Sequence, residues 1–276
     1  MKNKFKSLLV ASLSVLIAVS LVGCTLGKST NNAAQSNVST LQKAIQTKKL
    51  TVGCILSFPP FGYKDEKGDP QGYDVDLAKA IAKSLNAEIT IVDVTADARI
   101  PSLETGKVDL VIGNFTRTLE RAQKIDFTNP YIAAGERLLV KKGTVTKIEE
   151  LNGKKFAVTK GSTNADIVKK HVPNAEIVYS TTSADAVQLV KNGQAAAFIE
   201  DSNFLQYQAK LNPDLEVIGD SLIMPEYNAF GVKKGDQDWL NYLNLYLFQI
   251  NTNGENKALY KKWFGNDLPF KLNPEY

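Results

Sequence analysis

From residue 50 onward the chain alternates short apolar runs with helix-period segments, and it does so twice in the same order. Such alternation is the pattern of α/β architecture, in which strands fill a sheet and helices cover it. Residues 50–56 read as a strand. Residues 74–85 put Leu77, Ala78, Ile81, Ala82 and Leu85 on one helical face, with Asp74 positioned as its N-cap. A strand follows over 89–94, then a short helix ending near Gly106, then a strand over 108–112. The second pass predicts a strand at 156–158, a helix at 164–171, a strand at 175–179, a helix at 184–192 and a strand at 195–199. Laying Gly106 on Gly193 puts Ile112 on Ile199 and Asn114 on Asp201, and residues 140–143 and 232–235 both read Val-Lys-Lys-Gly. Short matches of this kind are weak singly, but together they predict two similar lobes facing each other.

Open α/β sheets bind ligands beyond the carboxyl ends of their strands, so two facing lobes imply a cleft lined by the loops after each strand. Those loops are 57–61 and 113–116 in the first pass and 161–164 and 200–201 in the second. The first pair offers hydroxyl, amide and aromatic groups followed by Arg117 and Arg121; the second offers hydroxyls and carboxylates. The chain has only four arginines, and two lie within residues 114–121. A guanidinium presents a planar fork that matches a carboxylate, worth roughly 1.5–3 kcal/mol per charge-assisted hydrogen bond. An Asp201 carboxylate across the cleft suits an ammonium, and a ligand carrying both groups is an α-amino acid. The alternative is that Arg121 pairs with surface acids such as Glu120 or Asp126.

The amino end carries a different message. Lys2, Lys4 and Lys6 precede an apolar run over 8–22 that is too short for a comfortable membrane span, and Gly23 then Cys24 follow. This order reads as an export signal ending at a lipid-attachment cysteine, resembling the bacterial lipobox, where Cys24 becomes the acylated first residue. Diacylation anchors stably whereas a single chain holds marginally. The alternative is an ordinary signal with a chance cysteine near its end. Residues 25–40 are rich in Ser, Thr, Asn and Gln without an aromatic residue and predict a flexible tether; ~16 residues of coil span about 22 Å. Formal charge falls from +4 to +1 when the three lysines leave with residues 1–23, which hold no Asp or Glu, so no basic field remains to favour nucleic acid. Cys54 sits in an apolar stretch without a neighbouring base or second thiol and reads as a small buried hydrophobe. Residues 239–250 are broken by Asn241, Asn244 and Gln249 and predict an amphipathic or buried helix rather than a span.

A resemblance sharpens this reading. Lys107, Val108, Asp109 through Asn114, Phe115, Thr116, Thr118, Glu120 and Arg121 to Asp126, Phe127, Thr128, Pro130 and Tyr131 resemble the polar amino-acid-binding proteins of ABC importers, the bacterial extracellular solute-binding protein family 3. So do Pro59, Pro60, Phe61, Gly62 and Tyr63, with residues 72–78 behind them; the likeness covers roughly 50–265. It implies a bilobal, type II periplasmic-binding-protein-like α/β fold whose two similar lobes are joined by two hinge crossings. The implied organisation is a signal peptide over 1–23, lipidated cysteine and tether over 24–48, first lobe over 49–136, second lobe over 137–227 and a return to the first lobe over 228–276. The hinge falls near 131–137 and 224–229.

The resemblance also implies roles. Arg121 grips the ligand α-carboxylate, helped by Thr116, Ser162 and Thr163; Asp201 accepts the α-ammonium, to which Asn114 offers its backbone carbonyl; Phe58 packs on the ligand side chain. Phe61, Phe115 and Tyr63 are further candidates for an apolar wall or for core. Arg99 resembles an arginine of branches that take acidic amino acids or cysteine and cystine, with Asp97 as its ordinary surface partner instead. The expected function is capture of an amino acid, cysteine or cystine or an acidic or polar one, in the cleft by hinge closure. Delivery to separate ABC permease subunits follows, from a monomer held by lipid on the outer face of the cell membrane, without catalysis, metal or cofactor. Two alternatives stand beside it: an exported dehydratase-like enzyme on the same fold, and a ligand sensor for a separate signalling partner. His171, the only histidine, lies beside Lys169 and Lys170 at a predicted helix end and reads as exposed.

Overall fold

The protein is described by a computed structural model over residues 38–268 and 272, with the side chain of Met224 left aside. The signal, Cys24 and the first part of the tether lie outside these residues. Helix α1 (Thr40–Thr47) leads into strand β1 (Lys49–Cys54), followed by the small antiparallel ribbon β2 (Ser57–Phe58), β3 (Gly62–Lys64) and β4 (Pro70–Gln71). Then come α2 (Tyr73–Ser84), β5 (Glu88–Asp93), α3 (Arg99–Glu104), β6 (Leu110–Val111), the single turn α4 (Leu119–Ala122) and the 17-residue strand β7 (Ile125–Lys141). The second pass runs β8 (Lys155–Thr159), α5 (Asn164–His171), β9 (Glu176–Ser180), α6 (Ser183–Lys191), β10 (Ala197–Asp201) and α7 (Ser202–Leu211). The 19-residue strand β11 (Leu215–Lys233) and helices α8 (Gln237–Thr252) and α9 (Glu255–Phe264) complete it.

One sheet of eight strands carries the molecule, in the order β5-β1-β6-β11-β7-β10-β8-β9. Its two wings, β5-β1-β6 and β10-β8-β9, are parallel and arise from the two passes predicted from sequence, each with its middle strand first in the chain. Between them β7 and β11 form a long antiparallel pair. At about 3.3 Å per residue, β7 reaches roughly 56 Å, far beyond an ordinary strand, and so serves both halves. The first wing joins β11 where Gly231 pairs with Val111; the second joins β7 over residues 136–140. The chain therefore passes between halves on two adjacent strands, and β11 is out of step with β7 between Ile218 and Ile223, between Ile223 and Glu226, and again over 228–231. The architecture is bilobal α/β.

Packing follows the periodicities. Leu77, Ala78, Ile81 and Ala82 of α2 are buried against β1, and α8 buries Trp239, Leu243, Leu247 and Ile250 while its Trp239 Nε1 donates to the Asp109 carbonyl at 3.0 Å. Residues 239–250 are thus a half-buried helix, and among the described residues no helix is long and apolar enough to cross a membrane. Cys54 is fully buried on β1, where burial pushes its thiol up.

Two local expectations are corrected. The tether was expected to reach residue 48, yet residues 40–47 form α1, capped by Ser39 and seated through Ala44, with Lys43 paired to Asp109 at 2.6 Å and the Thr40 amide bonded to Asp236. Polar composition hid a helix whose partners lie more than sixty residues away. Asp74 is not the N-cap of α2: Gly72 is, and Asp74 lies buried in the first turn with its carboxylate turned to Tyr131 and Asn114.

Candidate functional site

A cavity opens where the carboxyl ends of β1, β6, β8 and β10 face one another. The first half contributes Phe58, Thr95, Arg99, Asn114 and Thr116; the second contributes Thr159, Ser162, Thr163, Ser183 and Glu200; the crossings contribute Glu136 from β7 and Glu226 from β11.

Its cationic side is built around Phe115. That ring is buried among Leu103, Val111 and Ile125 and does not face the cavity. Instead it is a platform: the Arg99 guanidinium lies 4.2 Å from its centroid and that of Arg121 5.2 Å. Both are within reach of a cation–π contact with the one ring. Arg99 is 3% exposed and spends its donors on carbonyls: Nε to Ala96, Nη1 to Gly113 and Asn114 at 3.0 and 2.9 Å, and Nη2 to Gly161 at 3.2 Å. Burial, with Arg121 nearby, lowers its pKa to about 9, so it stays charged at neutral pH. Arg121 donates to the Thr116 carbonyl at 2.7 Å and to the Gly161 carbonyl at 2.9 Å, and does not line the cavity wall. Gly161, at φ +83°, therefore receives two arginines from the opposite half through one carbonyl oxygen.

Asn114 adopts a left-handed φ of +44°, held by its amide bonding to Asp74 and the Tyr131 hydroxyl, both at 3.2 Å, and by Asn228 Nδ2 donating to its side-chain oxygen at 2.7 Å. Its backbone carbonyl is the one that receives Arg99. Phe58 lines the cavity and stacks on Phe204 of α7 at 4.3 Å, an aromatic contact between the halves. Phe61 and Tyr63 lie elsewhere, against Tyr73 and Phe264 and against Trp263 respectively. Ser162 Oγ donates to the Thr159 carbonyl and Thr163 Oγ1 donates to Glu226 at 3.1 Å.

The anionic side differs from expectation. Asp201 is absent from the cavity wall: it is the N-cap of α7 and accepts from the amides of Asn203 and Phe204 at 2.8 and 3.4 Å. Strand side chains alternate faces, so when Asp201 turns to cap the helix, Glu200 turns to the cavity. There it accepts from Ser183 at 3.1 Å, Thr159 at 3.4 Å and the Asp201 amide at 3.1 Å. Glu136 and Glu226 were missed entirely. The available signal was a single glutamate in each crossing, beside Arg137 in 131–137 and as the one charged residue in 224–229, a costly place for an unpaired carboxylate.

Burial dominates the acids. It raises Asp74 and Glu200 to about 7 and Asp201 to about 8, and lifts Glu136 well above the carboxylate range, helped by Glu226 beside it. The sign follows from linkage. The folded form holds protons that the unfolded chain releases near its ordinary values of 3.8 and 4.5, so their stabilisation is complete at low pH and is lost as pH rises towards about 8. At about 1.4 kcal/mol per pK unit and a few degrees per kcal/mol, even one such carboxyl makes unliganded protein melt several degrees lower at pH 8 than at pH 5. Calorimetric melting across that range checks this; a flat or rising profile would show that these carboxyls ionise freely when folded.

A cleft between two α/β halves, with cations on one side and acids on the other, agrees with what the chain is similar to. The model for bacterial extracellular solute-binding proteins, family 3, matches residues 50–266. The chain belongs to this family. It is 31% identical over 270 residues to the ABC transporter glutamine-binding protein of Bacillus subtilis, covering 95% of this chain and 98% of that one. Among solved structures, an ancestral amino acid-binding protein described as a precursor of cyclohexadienyl dehydratase superposes with a TM-score of 0.76 at 38% identity, over 82% of this chain and 100% of that one. The solute receptor for L-cysteine of Neisseria gonorrhoeae gives 0.79 at 31% identity, over 86% and 98%. As a family 3 solute-binding protein, the chain works outside the cytoplasm, and its relatives are amino-acid-binding proteins of ABC transporters.

Proposed function

We propose that this solute-binding protein captures an α-amino acid between its two halves and passes it to the permease of an ABC importer. The observation that carries this is the meeting of both halves on one charged seam: Arg99 and Arg121 of the first reach the Gly161 carbonyl of the second, beside a cavity ringed by hydroxyls and carboxylates. In the proposed complex the ligand α-carboxylate takes the free donors of Arg121 with Thr116, Ser162 and Thr163, and the α-ammonium faces Glu200, with Phe58 against the side chain. Asp201 then acts through α7, holding Phe204 under Phe58. Closure is stabilised by contacts made only when ligand touches both halves. The crossings 131–137 and 224–229 are the hinge, and the steps in register along β11 are where bending costs least. The lobe limits 49–136, 137–227 and 228–276 follow from them, and Cys24 supplies the lipid tether. An acidic ligand side chain suits this wall poorly, because three carboxylates already line it.

Screening the purified protein by thermal shift against the common amino acids and cystine tests the reading. A ligand at a hundred times its Kd adds about 2.7 kcal/mol, so the true ligand should raise the melting point by about 5–10 °C. No response to any amino acid removes the proposal. The enzyme reading has one supporting observation, the dehydratase descent in the description of the 38%-identical structure, and product formation from incubated candidate substrates would favour it.

A further inference from the structure

We propose that the bound amino acid carries a second positive charge on its side chain, so that the site takes a cationic α-amino acid such as arginine, lysine or ornithine. This rests on the amino-acid-binding reading above. Three carboxylates from three different strands line one cavity, and all are buried: Glu136, Glu200 and Glu226 are 2%, 6% and 8% exposed. The only cation on the same wall is Arg99, whose four bonds all go to backbone carbonyls and none to these acids. With every group ionised, one positive and three negative side chains leave the wall at −2. Any amino acid brings one α-ammonium to such a wall. A neutral side chain leaves acids without a counter-charge, an anionic one adds to them, and a cationic one relieves them.

The hydrogen-bond inventory points to the same end of the ligand. Glu200 is satisfied by Ser183, Thr159 and an amide, and Glu226 accepts from Thr163. Glu136 Oε2 is buried and receives no donor from the described residues; the group it meets is the Glu226 carboxyl, itself an acceptor when ionised. Once ionised, both Glu136 oxygens only accept, so what completes them must donate. An ammonium or guanidinium supplies both the donor and the charge. Glu136 lies on β7 at the crossing and pairs across the ladder with Asp201 on one side and Ile223 on the other, so a cation held there touches both halves and the hinge at once. The charged groups around Glu136 are Glu226, Glu200, Asp201 and, across the cavity, Arg99. Burial and the neighbouring acids favour the protonated forms of Glu136 and Glu200, and a cation brought between them displaces those protons.

Titration calorimetry with arginine, lysine, glutamine, glutamate and cystine at pH 7, in two buffers of different ionisation heat, tests the proposal on the whole protein and on Glu136→Gln. Arginine or lysine should bind at least tenfold more tightly than glutamine and release protons on binding, while glutamine releases none. Glu136→Gln should narrow the arginine-to-glutamine ratio about tenfold; its unliganded melting point should hold, since a buried carboxyl held protonated gives way to a neutral amide of nearly the same shape. Glutamine, glutamate or cystine binding as tightly as the cationic amino acids overturns the proposal, as does an unchanged ratio in Glu136→Gln. Binding of no amino acid overturns the capture reading itself, and this inference with it.

Discussion

Replacing Arg121 with alanine should cost about a hundredfold or more in ligand affinity while leaving the fold in place. The guanidinium is half-buried over Phe115 and anchored to the Thr116 carbonyl at 2.7 Å, so its remaining donors point in a fixed direction before ligand arrives. Two charge-assisted hydrogen bonds of roughly 1.5–3 kcal/mol each would be lost on alanine substitution, and a hundredfold corresponds to about 2.7 kcal/mol. The helical turn α4 keeps its Thr118 cap, which bonds to the Arg121 amide rather than to its side chain. Melting should therefore move little. Arg121→Lys should recover only part of the affinity, because a lysine keeps the charge and loses the planar fork. Retained affinity in the alanine variant would show that the carboxylate is held elsewhere, and Arg99, the guanidinium on the cavity wall itself, would become the residue to test.

Gly161→Ala is the second large effect, and it acts on closure rather than on contact with ligand. A Cβ built on Gly161 would stand 2.5 Å from both Cα and N of Asp97, across the cleft on the first half. Backbone cannot yield at that distance, so the methyl blocks the approach that lets Gly161 receive both arginines. The positive φ adds strain of roughly 1–2 kcal/mol in open and closed forms alike. In the proposed hinge motion the clash falls on the closed form, and apparent affinity should drop in proportion to the fraction able to close. A loss of more than a hundredfold is expected, together with a scattering profile under saturating ligand that matches the unliganded protein. An alanine variant that still compacts on ligand addition would show that closure does not bring residues 97 and 161 together.

The two results are separable. Arg121→Ala should remove binding with closure still sterically open to it, whereas Gly161→Ala should leave Arg121 and Phe115 undisturbed and remove the second half's approach. Each therefore reports on one arm of capture.

Much of the fold was legible in the chain because it is written in local periodicity. The α2 segment was expected over 74–85 and observed over 73–84; α5 was placed at 164–171 in both; and the two passes became the two parallel wings. The lining of the cavity was legible where its groups follow a strand end in the chain, as with Phe58, Asn114, Thr116, Ser162 and Thr163. It was not legible where a role depends on which way one residue faces. Glu200 and Asp201 are neighbours of equal charge, and only the demand of α7 for a capping carboxylate sends Asp201 outward from the cavity and Glu200 into it. Phe115 was an apolar candidate and proved to be the floor beneath two arginines.

What the amino-acid order determined by itself was the class of element at each position, the twofold repetition of the α/β unit and the cation-then-acid sequence of its loops, because hydrophobic period and turn residues act over a few positions. What only tertiary structure decided was the company each charge keeps. Glu136 and Glu226 stand far apart in sequence and share a cavity with Glu200 only because β7 and β11 run side by side through both halves. Charge and hydrogen bonding act through space over a few ångströms, so the acid wall of the cavity exists nowhere until the sheet is assembled.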